Sequence, residues 1–445
     1  MVYIMLEKYF ELKKYHTDLK QEFIGGSTTF LTMAYILFVQ PTVLSAAGMD
    51  FGAVMVATCI SSATAILVMG LYARYPIALA PGMGQNFFFA YTVVLTLGVS
   101  WNTTLGVVFI AGAIFILLSF FGVREKIIHA IPDSLKYAIA VGIGLMITLV
   151  GLEWAGLVVD DPVLLVSLGD FSEPTTQLAL LGLVLTSVLL IRKVRGAMMI
   201  GIIFTTIIGV FIDQIPYTGI ISLPPSLEPT FFKLDILGAL QFDLILIVFT
   251  FLILDLFDTI GTLIGVASEA DLLKNGKLPR AKKALLSDAI GTVVGALCGT
   301  STVTSYVESA AGVASGARTG LANIFTALLF IIALFFYPLI KMIGGGIEVG
   351  EGVIHYPAIA PILILVGTYM IKGVRLIPWD DLSESIPAFI TIIIIPFSFR
   401  ITEGIAFGFI SYVLLKLFAG KGRDVPVLMW IFAVIFLLRY IFIGA

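Results

Sequence analysis

The chain has 445 residues, 59% of them apolar and 12% charged, with a formal net charge of −3 and a mean hydropathy of +1.08. No soluble domain of this length is so apolar, and the composition reads as a polytopic helical membrane protein. The slightly acidic balance excludes the basic surface that nucleic-acid binding requires. Two cysteines, Cys59 and Cys298, lie in apolar context and suggest neither a disulfide nor a metal site, and His16, His129 and His355 are scattered near the ends of apolar runs.

In chain order, residues 1–22 carry Lys8, Lys13, Lys14 and Lys20 and read as a cytoplasmic amphipathic lead-in without a cleavable signal. Seven apolar runs follow, at about 23–45, 51–73, 83–98, 101–121, 133–155, 177–191 and 196–213. A proline-containing polar loop, 215–241, separates them from a second seven, at about 242–266, 285–298, 308–317, 320–340, 355–372, 384–398 and 402–419. The domains expected are thus a first repeat at 23–214, a second at 242–420, and an apolar C-terminal segment at 421–445 whose run 425–444 is left over. With the N-terminus inside, 22 of the 26 Lys and Arg fall in cytoplasmic stretches, as the positive-inside rule asks. An odd number of spans before the central loop inverts the second half relative to the first. Inverted repeats are a common transporter plan, with the site at the repeat interface.

The third run of each half is interrupted. Pro76-Ile77-Ala78-Leu79-Ala80-Pro81-Gly82-Met83-Gly84-Gln85-Asn86 has two prolines that favour extended backbone before them. Thr300 to Tyr306 is hydroxyl-bearing and β-favouring, and Glu308 then precedes a run of small residues that permits close helix packing. The spacing predicts two short strands, each leading into a broken span. Non-helical backbone at membrane depth lines a cavity or is buried in protein, and a carboxylate at such a break marks a functional site.

The eighth run supplies another polar face. In FLILDLFDTIGTLIG, Asp255, Asp258, Thr259 and Thr262 stand at i, i+3, i+4 and i+7, on one side of a helix. Either acid can be the one nearer a ligand. Gly261 and Thr262 predict a close approach by a neighbouring segment, which favours Asp258 as the group that takes up a coupling proton. No basic residue occurs in runs three, eight or ten before Arg318. Helix N-termini by themselves attract anions, but the acids offset that field. The expected ligand is neutral or weakly cationic with hydrogen-bond donors, such as a flat ring. Phe87, Phe88 and Phe89 are candidates to stack on it, although such a run is more often core or lipid-facing.

DLFDTIGTLIGVASEADLL and SDAIGTVVGALCGTSTVTSYVESAAGVASGARTGL resemble the adenine/guanine/hypoxanthine permease branch of the nucleobase–cation symporters, within the uracil/xanthine permease superfamily. GGSTTFLTMAYILFVQP, APGMGQNFFFAY and ESIPAFITIIIIPFSFRITEGIAFGFISYVLL match the same branch, and the likeness covers residues 8–420. The resemblance implies an all-α fold of 14 transmembrane segments in a 7+7 inverted repeat. It implies a core domain of spans 1–4 and 8–11 and a gate domain of spans 5–7 and 12–14. It also implies proton-coupled purine uptake without an organic cofactor or metal. By motif match, Gly84, Asn86, Asp255, Asp258 and Glu308 are its substrate-binding residues, with Asp258 and Glu308 in proton coupling. Gln85 and Phe87 stand where the branch usually carries an aliphatic and a small residue. The partners expected are a purine nucleobase, the lipid bilayer of the plasma membrane and a second copy docked through the gate domain.

The alternative keeps the fold with another cargo, a pyrimidine base or, disfavoured by the missing basic residues, an anion. An intramembrane enzyme using Asp255 and Asp258 as a carboxylate pair lacks an accompanying nucleophile, metal-ligand set or cofactor motif. A channel is a further class, which a finding of saturable, pH-dependent uptake would exclude.

Overall fold

A computed structural model describes residues 2–121, 131–270, 272, 278–350 and 352–442. Arg124, Lys126, His129, Lys274, Lys277 and the last three residues of the C-terminal segment lie outside the described residues. The chain is a mostly helical polytopic membrane protein; among the described residues, eight helices are long and apolar enough to cross a membrane.

The order begins with α1 (Val2–Phe10), α2 (Leu19–Met33), α3 (Ile36–Ala46) and α4 (Phe51–Val68), then β1 (Leu79–Pro81), α5 (Met83–Phe87) with a π-helical extension Phe88–Thr96, and α6 (Trp101–Phe121). Next come α7 (Asp133–Trp154), the hairpin β2 (Val158–Asp161) and β3 (Leu165–Leu168), α8 (Pro174–Ile191), α9 (Ala197–Phe211), α10 (Ile236–Ala239) and α11 (Ile245–Glu269). After α12 (Ala281–Cys298) come β4 (Val303–Ser305), α13 (Ser309–Ala314), α14 (Gly320–Ala333) and α15 (Tyr337–Gly344). The hairpin β5 (Ile347–Gly350) and β6 (Val353–His355) then leads to α16 (Ala360–Met370), α17 (Leu382–Ser398), α18 (Ile401–Phe418) and α19 (Val427–Phe442). The chain forms two compact units, one of residues 1–120 with 152–362, the other of 121–151 with 363–445.

In the first unit α2 packs on α13 and α14, and α4 on α3, α12 and α14. Lipid tails are as apolar as leucine, so membrane helices associate through close packing and polar contacts. Gly26 shows the first: a Cβ there would lie 2.3 Å from the Ala322 carbonyl oxygen. Glu22 shows the second and corrects the expected boundary at residue 22. It is fully buried inside α2, which starts at Leu19. Its carboxylate accepts the backbone N–H groups of Arg318 (3.0 Å), Thr319 (3.1 Å) and Ala322 (3.0 Å). They lie at and just before the N-terminus of α14, where backbone N–H groups lack regular helix partners, so an acid in one span caps another.

In the second unit α17 packs on α18, and α18 on α19. Ala138, Val141, Ile377, Ala388 and Ile392 form a core cluster. Phe409 stacks with Phe432 and meets Phe436 edge-on, so the apolar run left over in the sequence is a helix with its own packed face. Glu403 on α18 pairs with Arg439 on α19 at 2.6 Å and accepts the Tyr440 hydroxyl. Glu384 pairs with the buried Lys416 at 2.6 Å.

Candidate functional site

The site is built on β1 and β4, which pair antiparallel with Leu79 opposite Ser305, Ala80 opposite Thr304 and Pro81 opposite Val303. Pro81 removes one N–H and fixes extended backbone, and Val303 and Thr304 are β-branched, so these segments resist helix formation. All six residues are buried. Their polar backbone therefore needs partners within the protein. Thr292 supplies two, accepting from Val303 N (3.0 Å) and donating to Val303 O (3.1 Å). Ser309 Oγ accepts from Ala78 N (2.9 Å), Tyr306 OH donates to Pro81 O (2.5 Å) and Asn323 Nδ2 donates to Ile77 O (2.8 Å). The turn into β4 needs Gly299, whose φ of +104° suits glycine. It lies under Thr230, whose hydroxyl donates to Cys298 O at 2.7 Å, so the central loop braces the strand. Because the strands are antiparallel and each runs on into a helix, α5 and α13 leave the pair at opposite ends.

Glu308 is the N-cap residue of α13, half-buried, and its side chain makes no cap bond. Tyr35 OH donates to its Oε1 at 2.5 Å. Asp258 on α11 is also half-buried. Its Oδ2 accepts from Thr304 Oγ1 (3.1 Å) and Gln85 Nε2 (3.4 Å). Each carboxylate thus has one oxygen held by neutral donors, leaving Glu308 Oε2 and Asp258 Oδ1 unclaimed by any described side chain. The arrangement offers acceptors to a ligand with N–H donors, and carboxylates that can take a proton.

The other expected site residues are buried among protein groups. Asp255 is fully buried, and Thr259 Oγ1, one turn on along α11, lies 3.4 Å from Asp255 Oδ1 while donating to Asp288 Oδ1 of α12 (2.6 Å). Residues i and i+3 differ by about 60° around a helix, enough to aim Asp255 and Asp258 at different neighbours. Asn86 is fully buried, and its Nδ2 donates to Gln40 Oε1 at 2.7 Å. Gln40 Nε2 in turn donates to Thr300 Oγ1 (2.8 Å) and Ser301 Oγ (2.9 Å). Gly84 is buried within α5.

One expectation needs correction. Gly261 does not receive a close neighbour among the described residues: a Cβ there would meet none of their atoms within 4 Å, and the same holds at Gly265. Phe87, Phe88 and Phe89 are all at most 1% exposed. Phe87 stacks on Tyr91 and approaches Trp154, and Phe88 meets Phe251 edge-on at 4.9 Å, so these rings pack in the core. The aromatic residues beside Glu308 are Tyr35 and Tyr306, with ring centroids 6.3 Å apart.

Tyr35, Gln40 and Thr304 are the contacts that sequence reasoning did not single out. For Tyr35 a signal exists: Thr28, Thr32 and Tyr35 put hydroxyls at i, i+4 and i+7, on one face of the first span. Gln40 is a lone amide in an apolar run and carries no such pattern.

A model of the permease family matches residues 20–407. The adenine permease AdeP of Escherichia coli is 42% identical over 99% of this chain and 97% of its own. The guanine/hypoxanthine permease PbuG of Bacillus subtilis is 43% identical over 98% of this chain and 100% of its own. In fold, the chain is similar to the transmembrane domain of a cyanobacterium bicarbonate transporter, BicA, with a TM-score of 0.61 at 18% identity over 88% of this chain and 97% of that one. The resemblance carried by the motifs is borne out: the chain belongs to the permease family and is a membrane transporter, not an enzyme.

Proposed function

We propose that this permease is a secondary active transporter that takes up purine nucleobases together with protons by alternating access. The observation that carries the reading is the pair of half-buried carboxylates at β1 and β4, each held on one oxygen by neutral donors. A purine presents ring N–H groups to such acceptors, and a carboxylate without a cationic partner can trade its charge for a proton. The names of AdeP and PbuG support a purine, and their nearly equal identities, 42% and 43%, favour neither adenine nor guanine and hypoxanthine. In this reading Glu308 receives the base and Asp258 carries the coupling proton, while Asn86, Asp255 and Gly84 hold the framework around them. Fourteen spans form the 7+7 inverted repeat, with a core domain of spans 1–4 and 8–11 and a gate domain of spans 5–7 and 12–14. The N-terminus lies in the cytoplasm, the membrane is the plasma membrane, and two copies meet through the gate domain.

The test is radiolabelled hypoxanthine uptake into proteoliposomes under an imposed pH gradient, competed by a panel of bases. Competition by purines and stimulation by an inward proton gradient are expected. Competition by pyrimidines alone, or uptake indifferent to the gradient in both directions, would overturn the reading.

A further inference from the structure

Tyr35 stands where the first span departs from a regular α-helix. α2 ends at Met33 and α3 begins at Ile36. The N–H groups of Leu37 and Phe38 reach back only three residues, to Ala34 O (3.0 Å) and Tyr35 O (3.1 Å). A 3₁₀-type turn inside a single crossing is a common form of hinge. This one aims Tyr35, itself 2% exposed, at Glu308 Oε1. One turn earlier, Thr32 Oγ1 lies 3.4 Å from the Glu308 backbone carbonyl oxygen, while its hydrogen is taken by the carbonyls of Thr28 and Thr29 at 2.9 Å. The first span therefore touches Glu308 at both its side chain and its main chain. Tyr306 is the other nearby phenol, but its hydroxyl is used on Pro81 O.

We infer that Tyr35 is a positioning residue for substrate capture: its hydroxyl holds Glu308 Oε1, so that Oε2 is presented to an N–H group of the base. A phenol donating to a carboxylate is a charge-assisted bond, stronger and more directional than a neutral one. A carboxylate without it can rotate about its terminal torsion, which is broad and roughly two-fold. The bond also ties the orientation of the acceptor to the turn in the first span. The titratable groups facing Glu308 are Tyr35 from the first span, Tyr306 from the segment after β4 and Asp258 from α11. Removing the Tyr35 hydroxyl should therefore alter how binding responds to pH as well as its strength. The inference rests on the reading that Glu308 receives the base.

The experiment is a double-mutant cycle on the full-length protein, with hypoxanthine binding measured from pH 5 to pH 8 on the parent, Tyr35→Phe, Glu308→Gln and the double variant. Tyr35→Phe keeps the ring and its packing beside Tyr306. It is expected to weaken binding about tenfold, the worth of a hydrogen bond to a charged group, and to displace the pH profile. In the Glu308→Gln background the same change is expected to cost less than about twofold, because its charged acceptor is gone. Thr32→Val serves as a second variant; it removes the hydroxyl that bonds Thr28 and Thr29 and lies against the Glu308 main chain, leaves the Glu308 carboxylate untouched, and should leave the pH profile in place. If Tyr35→Phe binds like the parent while Glu308→Gln is defective, the inference fails and the purine reading stands. Equal losses in both backgrounds, or a pH profile displaced as much by Thr32→Val, also overturn it. Parent-like binding by Glu308→Gln overturns the reading of Glu308 itself, and the inference with it.

Discussion

The acids of the two units are held in different ways. In the second unit Glu403 faces Arg439 and Glu384 faces Lys416, each at 2.6 Å. In the first unit Glu308 and Asp258 have only hydroxyl and amide donors, and no Lys or Arg occurs from Tyr75 to Val123, from Leu234 to Leu273 or from Ala284 to Ala317. An acid facing a cation is already neutralised, and its remaining role is to hold helices together. An acid facing neutral donors keeps its charge and part of its coordination for something that arrives. Intramembrane charge is expensive in both places, but of these four acids the two in the first unit lack a cationic partner among the described residues.

The sharpest way to break this contrast is at Asp258. Asp258→Asn is expected to retain purine binding and counterflow and to lose accumulation driven by a pH gradient altogether. Both assays are run in the same liposomes, and continued accumulation would move the coupling role to Glu308. Next in size is Glu308→Gln, expected to weaken hypoxanthine binding about 10- to 100-fold, the range for losing a hydrogen bond to a charged acceptor. Direct binding on the detergent-purified protein measures it, with the melting curve as a control that the fold survives.

The second unit should respond in the opposite sense. Glu403→Gln leaves Arg439 without its counter-charge in a largely buried place, which is costly. The apparent melting temperature should fall by about 5 °C, at roughly 2–4 °C per kcal/mol for large domains. The purine Kd should stay within about twofold, since such rescaling reflects stability rather than the site. Replacing both partners by Leu and Met is expected to recover most of that loss; a changed Kd would dissolve the contrast between the units. The smallest effect is at Asp381, at the N-terminus of α17. The Ser383 hydroxyl first, and Lys421 next, hold its carboxyl well below the usual carboxylate range. A lowered folded-state value contributes stability above the unfolded value, near pH 4, and that contribution is lost as pH falls through the folded value. Asp381→Asn should therefore lower the melting temperature at pH 7 by no more than about 1 °C, as exposed pairs do, and the difference from the parent should vanish in strong acid.

Much of the architecture was legible in the chain because membrane spans are written in long apolar runs, and few soluble patterns imitate them. The motifs around Glu308 and Asp258 were legible because a charge or a proline inside such a run is costly enough to be informative. The spacing of Asp255 and Asp258 was less so. It puts both on one helical face and leaves open which of them meets a neighbouring helix and which a ligand; the structure gives them different neighbours. By sequence Glu22 belongs to a polar lead-in, since a local sequence cannot announce that an acid will cap a helix about three hundred residues away.

By itself, the sequence determined a multi-span membrane protein with two interrupted segments, a carboxylate at one and two more on the eighth run, because each of these is a local matter of hydropathy, proline geometry and charge. Tertiary structure alone decided which acids remain accessible and what holds them. Tyr35 reaches Glu308 across 273 positions and Gln85 reaches Asp258 across 173. Hydrogen-bond partners within membrane-buried protein are chosen by which spans pack together, and that choice depends on all the small-residue contacts at once rather than on any one stretch of chain.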